Sequence, residues 1–173
     1  MVQRHFVPFY IVPIWKNKKG VSAFYKILTK QSENEHKMKS KWEREMQVMI
    51  DNGVWGSIFN VTYRSVNNNL LVWFQLKLLY RILGTKEYLN KINIVHSSDC
   101  NHCQQKETIL HMFVECDRVI FFWSEIEKLI FETTRMKIHF SKFDILFGYL
   151  NTDINRLPLN VLLLISKKYI FMT

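Results

Sequence analysis

The sequence predicts an all-α protein: an irregular helical assembly with a small knuckle segment and an extended N-terminal stretch. Three observations point there. Apolar residues recur at helical spacing in several windows. Glycine and proline number only 5 and 3 in 173 residues, too few for a collagen-like or Pro/Gly-rich disordered chain. All three cysteines fall within one 17-residue window, with a histidine between the last two. With 48% hydrophobic and 14% aromatic residues, side chains for a packed core are ample.

The elements follow in order. Residues 1–15 alternate prolines with aromatic and aliphatic residues, which suits an extended, docked segment. Their apolar run, Phe6 to Trp15, is broken by Pro8 and Pro13 and is too short to span a bilayer, which takes about 20 residues. Lys16, Lys18 and Lys19 follow it where a secretory cleavage site would want small residues. The expectation is an intracellular protein, cytoplasmic or nuclear, without membrane association, whose Asn60-Val61-Thr62 sequon stays unmodified. Lys16 to Gly20 reads as a basic turn, Val21 to Leu28 as a short helix, and Thr29 to Glu35 as a polar linker.

From His36 to Ile50, Met38, Trp42, Met46, Met49 and Ile50 form an apolar stripe, with Lys37, Lys39, Lys41 and Arg44 off it. Asp51-Asn52-Gly53 is expected to end that helix. A second helix is expected over Trp55 to Tyr63. The asparagines at 67–69 can cap a third, Leu70 to Leu83, apolar on most sides and therefore expected at the centre, with Gly84 closing it. Thr85 can cap a short helix reaching Ile92. Past the cysteines, Asp117 is the expected cap of a helix carrying Val119, Trp123, Ile126 and Ile130 on one face. Pro158 suits the first turn of a last helix, Leu159 towards Phe171. Four stretches result: a basic N-terminal segment (1–35), a helical region (36–95), the knuckle segment (96–135) and a C-terminal helical region (136–173).

Charge points to a class of partner. Lysine and arginine number 24 against 15 aspartate and glutamate, a net +9. The excess is concentrated in residues 1–50, with ten basic against four acidic side chains. Such a surface suits a polyanion such as RNA or DNA. Lys37, Lys39, Lys41 and Arg44 are the first candidates for phosphate contacts, and Lys16, Lys18 and Lys19 the next.

The cluster reads Cys100-Asn-His-Cys103, then His111 and Cys116, a C-x2-C-x7-H-x4-C spacing. Zinc favours four thiolate and imidazole ligands in a tetrahedron, and a C-x2-C knuckle brings two sulfurs to one ion. His111 and Cys116 pose a geometric condition. Five residues along an α-helix rotate by about 500°, leaving the two side chains about 140° apart. They converge only if the helix loosens at its end. Four ligands make a closed, structural site, with no open position for a catalytic water. Two other readings stand beside zinc: a redox C-x-x-C, which wants the motif opening a helix after a strand, and unligated buried thiols. A disulfide framework would leave one cysteine over. His102, inside the knuckle, points away from such an ion, and His96 comes too early. Asp51, Asp99, Asp117, Asp144 and Asp153 are too scattered to hold two metal ions. No Gly-rich phosphate loop or Ser/His/Asp arrangement appears, so no catalytic residue is expected.

Lys41-Trp42-Glu43-Arg44-Glu45, Leu76-Lys77-Leu78-Leu79-Tyr80-Arg81, Glu107-Thr108-Ile109-Leu110-His111-Met112-Phe113 and Phe122-Trp123 occur in this order around the cluster. The pattern resembles the zinc-binding region that follows the polymerase domain in LINE-type (non-LTR) retrotransposon reverse transcriptases. Gly20-Val21-Ser22-Ala23-Phe24-Tyr25 and Ile145-Leu146-Phe147-Gly148 fit it too, and the resemblance runs from about Pro13 to Tyr169. It implies Cys100, Cys103, His111 and Cys116 as ligands of one structural Zn²⁺. It also implies RNA or DNA binding in support of reverse transcription, and contacts to a polymerase domain. The polymerase and endonuclease motifs lie upstream in that family, and nothing in this chain matches them. Val114 stands where the family often has Trp, and Gly84-Thr85-Lys86 where Thr-Pro is common. The family usually runs on past the position of Thr173, so a truncated copy is expected. The alternatives are a zinc-stabilised protein-interaction module, a decayed fragment, and a thiol redox protein.

Overall fold

The computed structural model describes residues 37–150 and 156–173. The expected extended stretch, the basic turn with Lys16, Lys18 and Lys19, and the helix over Val21 to Leu28 lie outside the described residues. Among the described residues the fold is all-α, with one isolated antiparallel bridge, Asp99 to Lys106, and no strand. No described helix is long and apolar enough to cross a membrane.

Helix α1 covers residues 37–46. It stops four residues short of the expected Ile50, because Gln47 turns left-handed (φ 56°). The Val48 N–H then reaches back to the Glu43 carbonyl at 3.1 Å, a six-to-one closure of the Schellman kind. Met49 consequently leaves the apolar stripe and is 89% exposed, while the Glu43 carboxylate accepts from the Ile50 N–H at 2.9 Å. Asp51, expected to end this helix, starts the next one by accepting from the Gly53 N–H at 2.7 Å. Helix α2 therefore runs Asn52–Ser65, longer than expected, and buries Trp55, Ile58, Val61 and Thr62.

Helix α3 spans Asn69–Leu79, with the Asn68 side chain capping the N–H groups of Leu70 and Leu71. It ends before the expected Leu83, and Gly84 does not close it. Arg81 takes the left-handed conformation (φ 56°), the Ile82 N–H bonds the Lys77 carbonyl at 2.9 Å, and the Arg81 guanidinium pairs with Glu45. Two of the sequence landmarks are thereby joined. Leu70 and Trp73 are exposed, so this helix has an open side that its near-continuous apolarity hides. Helix α4, Lys86–Lys91, starts on the expected cap, Thr85, which accepts from the Tyr88 N–H.

Helix α5, Asp117–Thr134, buries Val119, Trp123 and Ile130, with Ile126 half-buried. Asp117 occupies its first turn rather than the cap; the cap position belongs to Cys116, whose backbone is extended (ψ 132°). Helix α6, Lys142–Phe147, has no counterpart in the periodicity reading. Ser141 and Asp144 form a reciprocal capping box at its start. Helix α7 covers Leu157–Met172, with Pro158 in its first turn.

Contacts gather residues Glu43–Thr173 into one compact unit. Within it α7 packs on α2 and α3, and a π-helical turn, His111–Glu115, meets α5, α6 and α7. Leu78, Phe113, Leu146, Phe147 and Leu163 are almost wholly buried there. Each such side chain contributes about 1.5–3 kcal/mol through burial. Phe74 meets Phe113 edge-on at 6.2 Å, so the turn that carries His111 is anchored directly in the core.

Candidate metal centre

Ser98 to Glu107 form a tight hairpin. The Cys100 N–H donates to the Gln105 carbonyl (2.7 Å), the Gln104 N–H to the Cys100 carbonyl (3.1 Å), and the Glu107 N–H to the Ser98 carbonyl (2.8 Å). Gln104 supplies the left-handed residue (φ 60°) that completes the reversal. Two residues between the cysteines put both thiols on the inside of this turn. The hairpin is tied to α4: the Glu107 carboxylate accepts from the Lys86 N–H at 2.9 Å, and Lys106 pairs with Glu87 at 2.7 Å. The Lys86 ammonium donates to the Asp99 carbonyl at 2.7 Å and to the Asn101 side chain.

The other two ligands come from the helical turn. Thr108 caps it, its hydroxyl accepting from the His111 N–H at 2.9 Å. At His111 the helix widens to π geometry, and the Cys116 N–H bonds the His111 carbonyl five residues back at 3.1 Å. This is the loosening that an H-x4-C spacing requires, since the wider i→i+5 turn brings positions five apart towards one side. Cys116 then leaves the helix in extended conformation. The Trp123 indole N–H donates to the Phe113 carbonyl at 2.8 Å, bracing the middle of the turn from α5.

The four ligand atoms, three thiol sulfurs and one imidazole nitrogen, lie within 4.8 Å of one another. The Cys103 sulfur is 3.2 Å from His111 Nε2. A tetrahedral ion with thiolate bonds of about 2.3 Å and an imidazole bond of about 2.0 Å separates its ligand atoms by about 3.5–3.8 Å. Small side-chain adjustments therefore let Cys100, Cys103, His111 and Cys116 hold a metal ion. Cys100, His111 and Cys116 are buried and Cys103 is half-buried. All three cysteines are free thiols. Burial opposes ionisation of Cys100, but hydrogen bonds from the His102 and Cys103 backbone and from the His111 and Cys103 side chains outweigh it, bringing its pKa down to about 7. Burial, reinforced by the charge of Cys100, pushes Cys116 up.

His102 stands outside this group, its Nε2 2.6 Å from the Arg118 guanidinium, and His96 is exposed. The C-x-x-C lies in a hairpin turn instead of opening a helix, so the placement a redox motif wants is not found here. Of the expected phosphate contacts, Lys37, Lys41 and Arg44 are exposed on α1, while Lys39 is half-buried. Beside the metal centre runs a groove of about 480 Å³, walled by Phe121, Phe122, Tyr169 and Phe171. Phe122 and Tyr169 stack at 5.8 Å. Lys86 and Arg118 on its lining are balanced by Glu107 and Glu125. The bracing roles of Glu107 and Trp123 are not deducible from spacing; they require the packing of α4 and α5 against the cluster.

No family model, no curated protein and no solved structure matches this chain.

Proposed function

We propose that the chain is a zinc-organised, non-catalytic helical module that binds RNA or DNA, akin to the region after the polymerase domain of LINE-type reverse transcriptases. The observation that carries this reading is the convergence of Cys100, Cys103, His111 and Cys116. Three thiolates and an imidazole are the donor set of structural zinc, and four protein ligands leave no open position. When bound, zinc ties the hairpin to the π-turn, joining two segments of the site by bonds far stronger than their hydrogen bonds. With three thiolates the centre carries a formal charge of −1, so phosphate contacts belong elsewhere. Lys37, Lys41 and Arg44, spaced four and three residues apart and exposed, supply a cationic stripe on a chain of net charge +9.

The test measures zinc per purified chain and binding to single- and double-stranded oligonucleotides across a salt series. One zinc per chain, with affinity falling steeply as salt rises, is the expected result. A folded, zinc-free protein, or affinity flat with salt, overturns it.

A protein-interaction role is the second reading. It is supported by the exposed Leu70 and Trp73 on α3 and by the balanced charge of the aromatic groove. It predicts bound zinc with no affinity for polyanions.

A further inference from the structure

The last helix carries a charge-bearing side chain that, among the described residues, is buried against neutral partners alone. Lys167 is 1% exposed. Its Nζ donates to Gln75 Oε1 at 2.6 Å and to the Leu146 carbonyl at 3.0 Å. Gln75 Nε2 donates to the same Leu146 carbonyl at 2.7 Å. Three helices, α3, α6 and α7, are therefore tied through one carbonyl oxygen, an amide and an amine. A cavity of about 10 Å³ adjoins the amine, room for one water and too little to hydrate an ammonium ion.

Among the described residues, the lining of this cavity holds no counter-charge. The cavity beside the amine is lined by Val61 and Thr62 from α2, by Gln75 from α3, by Phe147 and Gly148 from α6 and the residue after it, and by Asn160, Leu163 and Leu164 from α7 itself. None of these is titratable, and the π-turn packed on α7, which carries His111 and Glu115, contributes no residue to this lining. A neutral amine satisfies this site with two donated hydrogen bonds. An ammonium has a third N–H to place and a buried charge to stabilise with neutral dipoles alone. The next residue, Lys168, is directed elsewhere, over the Phe74 and Phe171 rings.

We propose that Lys167 is a proton-sensitive latch for α7: the neutral amine docks the helix onto α3 and α6, and uptake of a proton weakens that docking. Burial alone brings the Lys167 pKa down to about 7, so the latch changes state near neutral pH. The same helix presents Tyr169, Ile170 and Phe171 to the groove beside the metal centre. Loosening α7 therefore opens one wall of that groove, and the latch couples proton concentration to its shape. The inference does not depend on what the module binds.

The sign follows from linkage. Between about 7 and the ordinary lysine value of 10.5, the unfolded chain binds a proton that the folded one does not, so stability rises with pH across that window. One proton corresponds to a folding constant that rises about tenfold per pH unit. The test compares urea unfolding of the full chain and of Lys167→Met from pH 7 to 10. The wild type is expected to gain stability with pH by about one proton more than the variant. Equal slopes overturn the proposal. Should Lys167→Met fail to fold, the wild type labelled with ¹³C at lysine Cε decides. One lysine signal titrating near 7, with lower amide protection factors along α7 below that pH, supports the latch. Every lysine titrating above about 10 overturns it.

Discussion

Trp123 donates its indole N–H to the carbonyl of Phe113, in the middle of the turn that separates His111 from Cys116. A π-turn frees carbonyls from the regular helical ladder, and here one of them is held by a buried side chain from the next helix. Trp123, which follows the cluster, thus has a physical role: it braces the turn between two ligands.

Trp123→Phe keeps an aromatic ring in the core but orphans the Phe113 carbonyl. The expected cost is about 1–3 kcal/mol of stability. A residue that orients ligands from outside the coordination sphere typically changes metal affinity by about 10–100-fold, so zinc affinity is expected to fall on that scale with stoichiometry kept at one. Competition against a chromophoric chelator, beside urea unfolding, reads both. Unchanged affinity with lowered stability would make Trp123 a core residue and nothing more.

The four ligands separate from the nearby histidine by substitution. Cys116→Ser is expected to lose zinc and the order of the knuckle, because metal binding is coupled to folding of the segment. His102→Ala, which removes only the partner of Arg118, is expected to retain one zinc. Metal analysis after gel filtration distinguishes them, and zinc loss from His102→Ala would reassign the ligands.

The knuckle was legible in the sequence because coordination chemistry imposes its spacing, and even the need for a loosened helix between His111 and Cys116 follows from 3.6 residues per turn. Helix ends were less legible. Gln47, Arg81 and Arg135 all take left-handed conformations that a reader of sequence assigns to glycine or asparagine. Arg81 is held by Glu45, a tertiary partner no local window contains. Helix α6 escaped because six residues give too little periodicity, although the Ser141 and Asp144 capping box marks its start. Lys167 and Gln75 are 92 residues apart, and nothing local indicates that they meet.

Acid is expected to release the metal. Cys100 ionises near 7 and Cys116 above the usual thiol value when no ion is bound, so binding at or below neutral pH displaces a proton from each. Ligation by three thiolates displaces up to three protons, so affinity is expected to fall by up to about a thousandfold for each pH unit below 7. Chelator competition at several pH values gives that slope; affinity independent of pH would exclude thiolate ligation.

Gly148→Ala tests whether fold and metal site can be separated. Gly148 sits at φ 81°, and a Cβ there would come within 2.9 Å of Asn160 Oδ1 and 3.1 Å of Val61 Cγ1. The Asn160 amide cannot easily yield, since it both accepts from the Tyr149 N–H (2.7 Å) and donates to the Tyr149 carbonyl (3.1 Å). Strain of this kind costs about 1–3 kcal/mol. Lower thermal stability with one zinc retained is the expected result, since none of these residues belongs to the ligand group.

Nucleic-acid binding is tested most sharply on α1. Lys37, Lys41 and Arg44 are exposed, and their spacing puts them on one stripe of the helix. If each contacts a phosphate on a single strand, replacing all three with alanine removes about 0.7 unit per contact from the slope of log K against log salt, or about 2 in all. The weakening should be nearly uniform across oligonucleotide sequences, because phosphate contacts carry no base information. Lys137→Ala with Lys142→Ala, two exposed lysines elsewhere, changes net charge by two without touching the stripe. An equal loss per charge from both sets would mean that affinity follows overall charge rather than an interface on α1. A selective loss from the α1 set would locate the interface there.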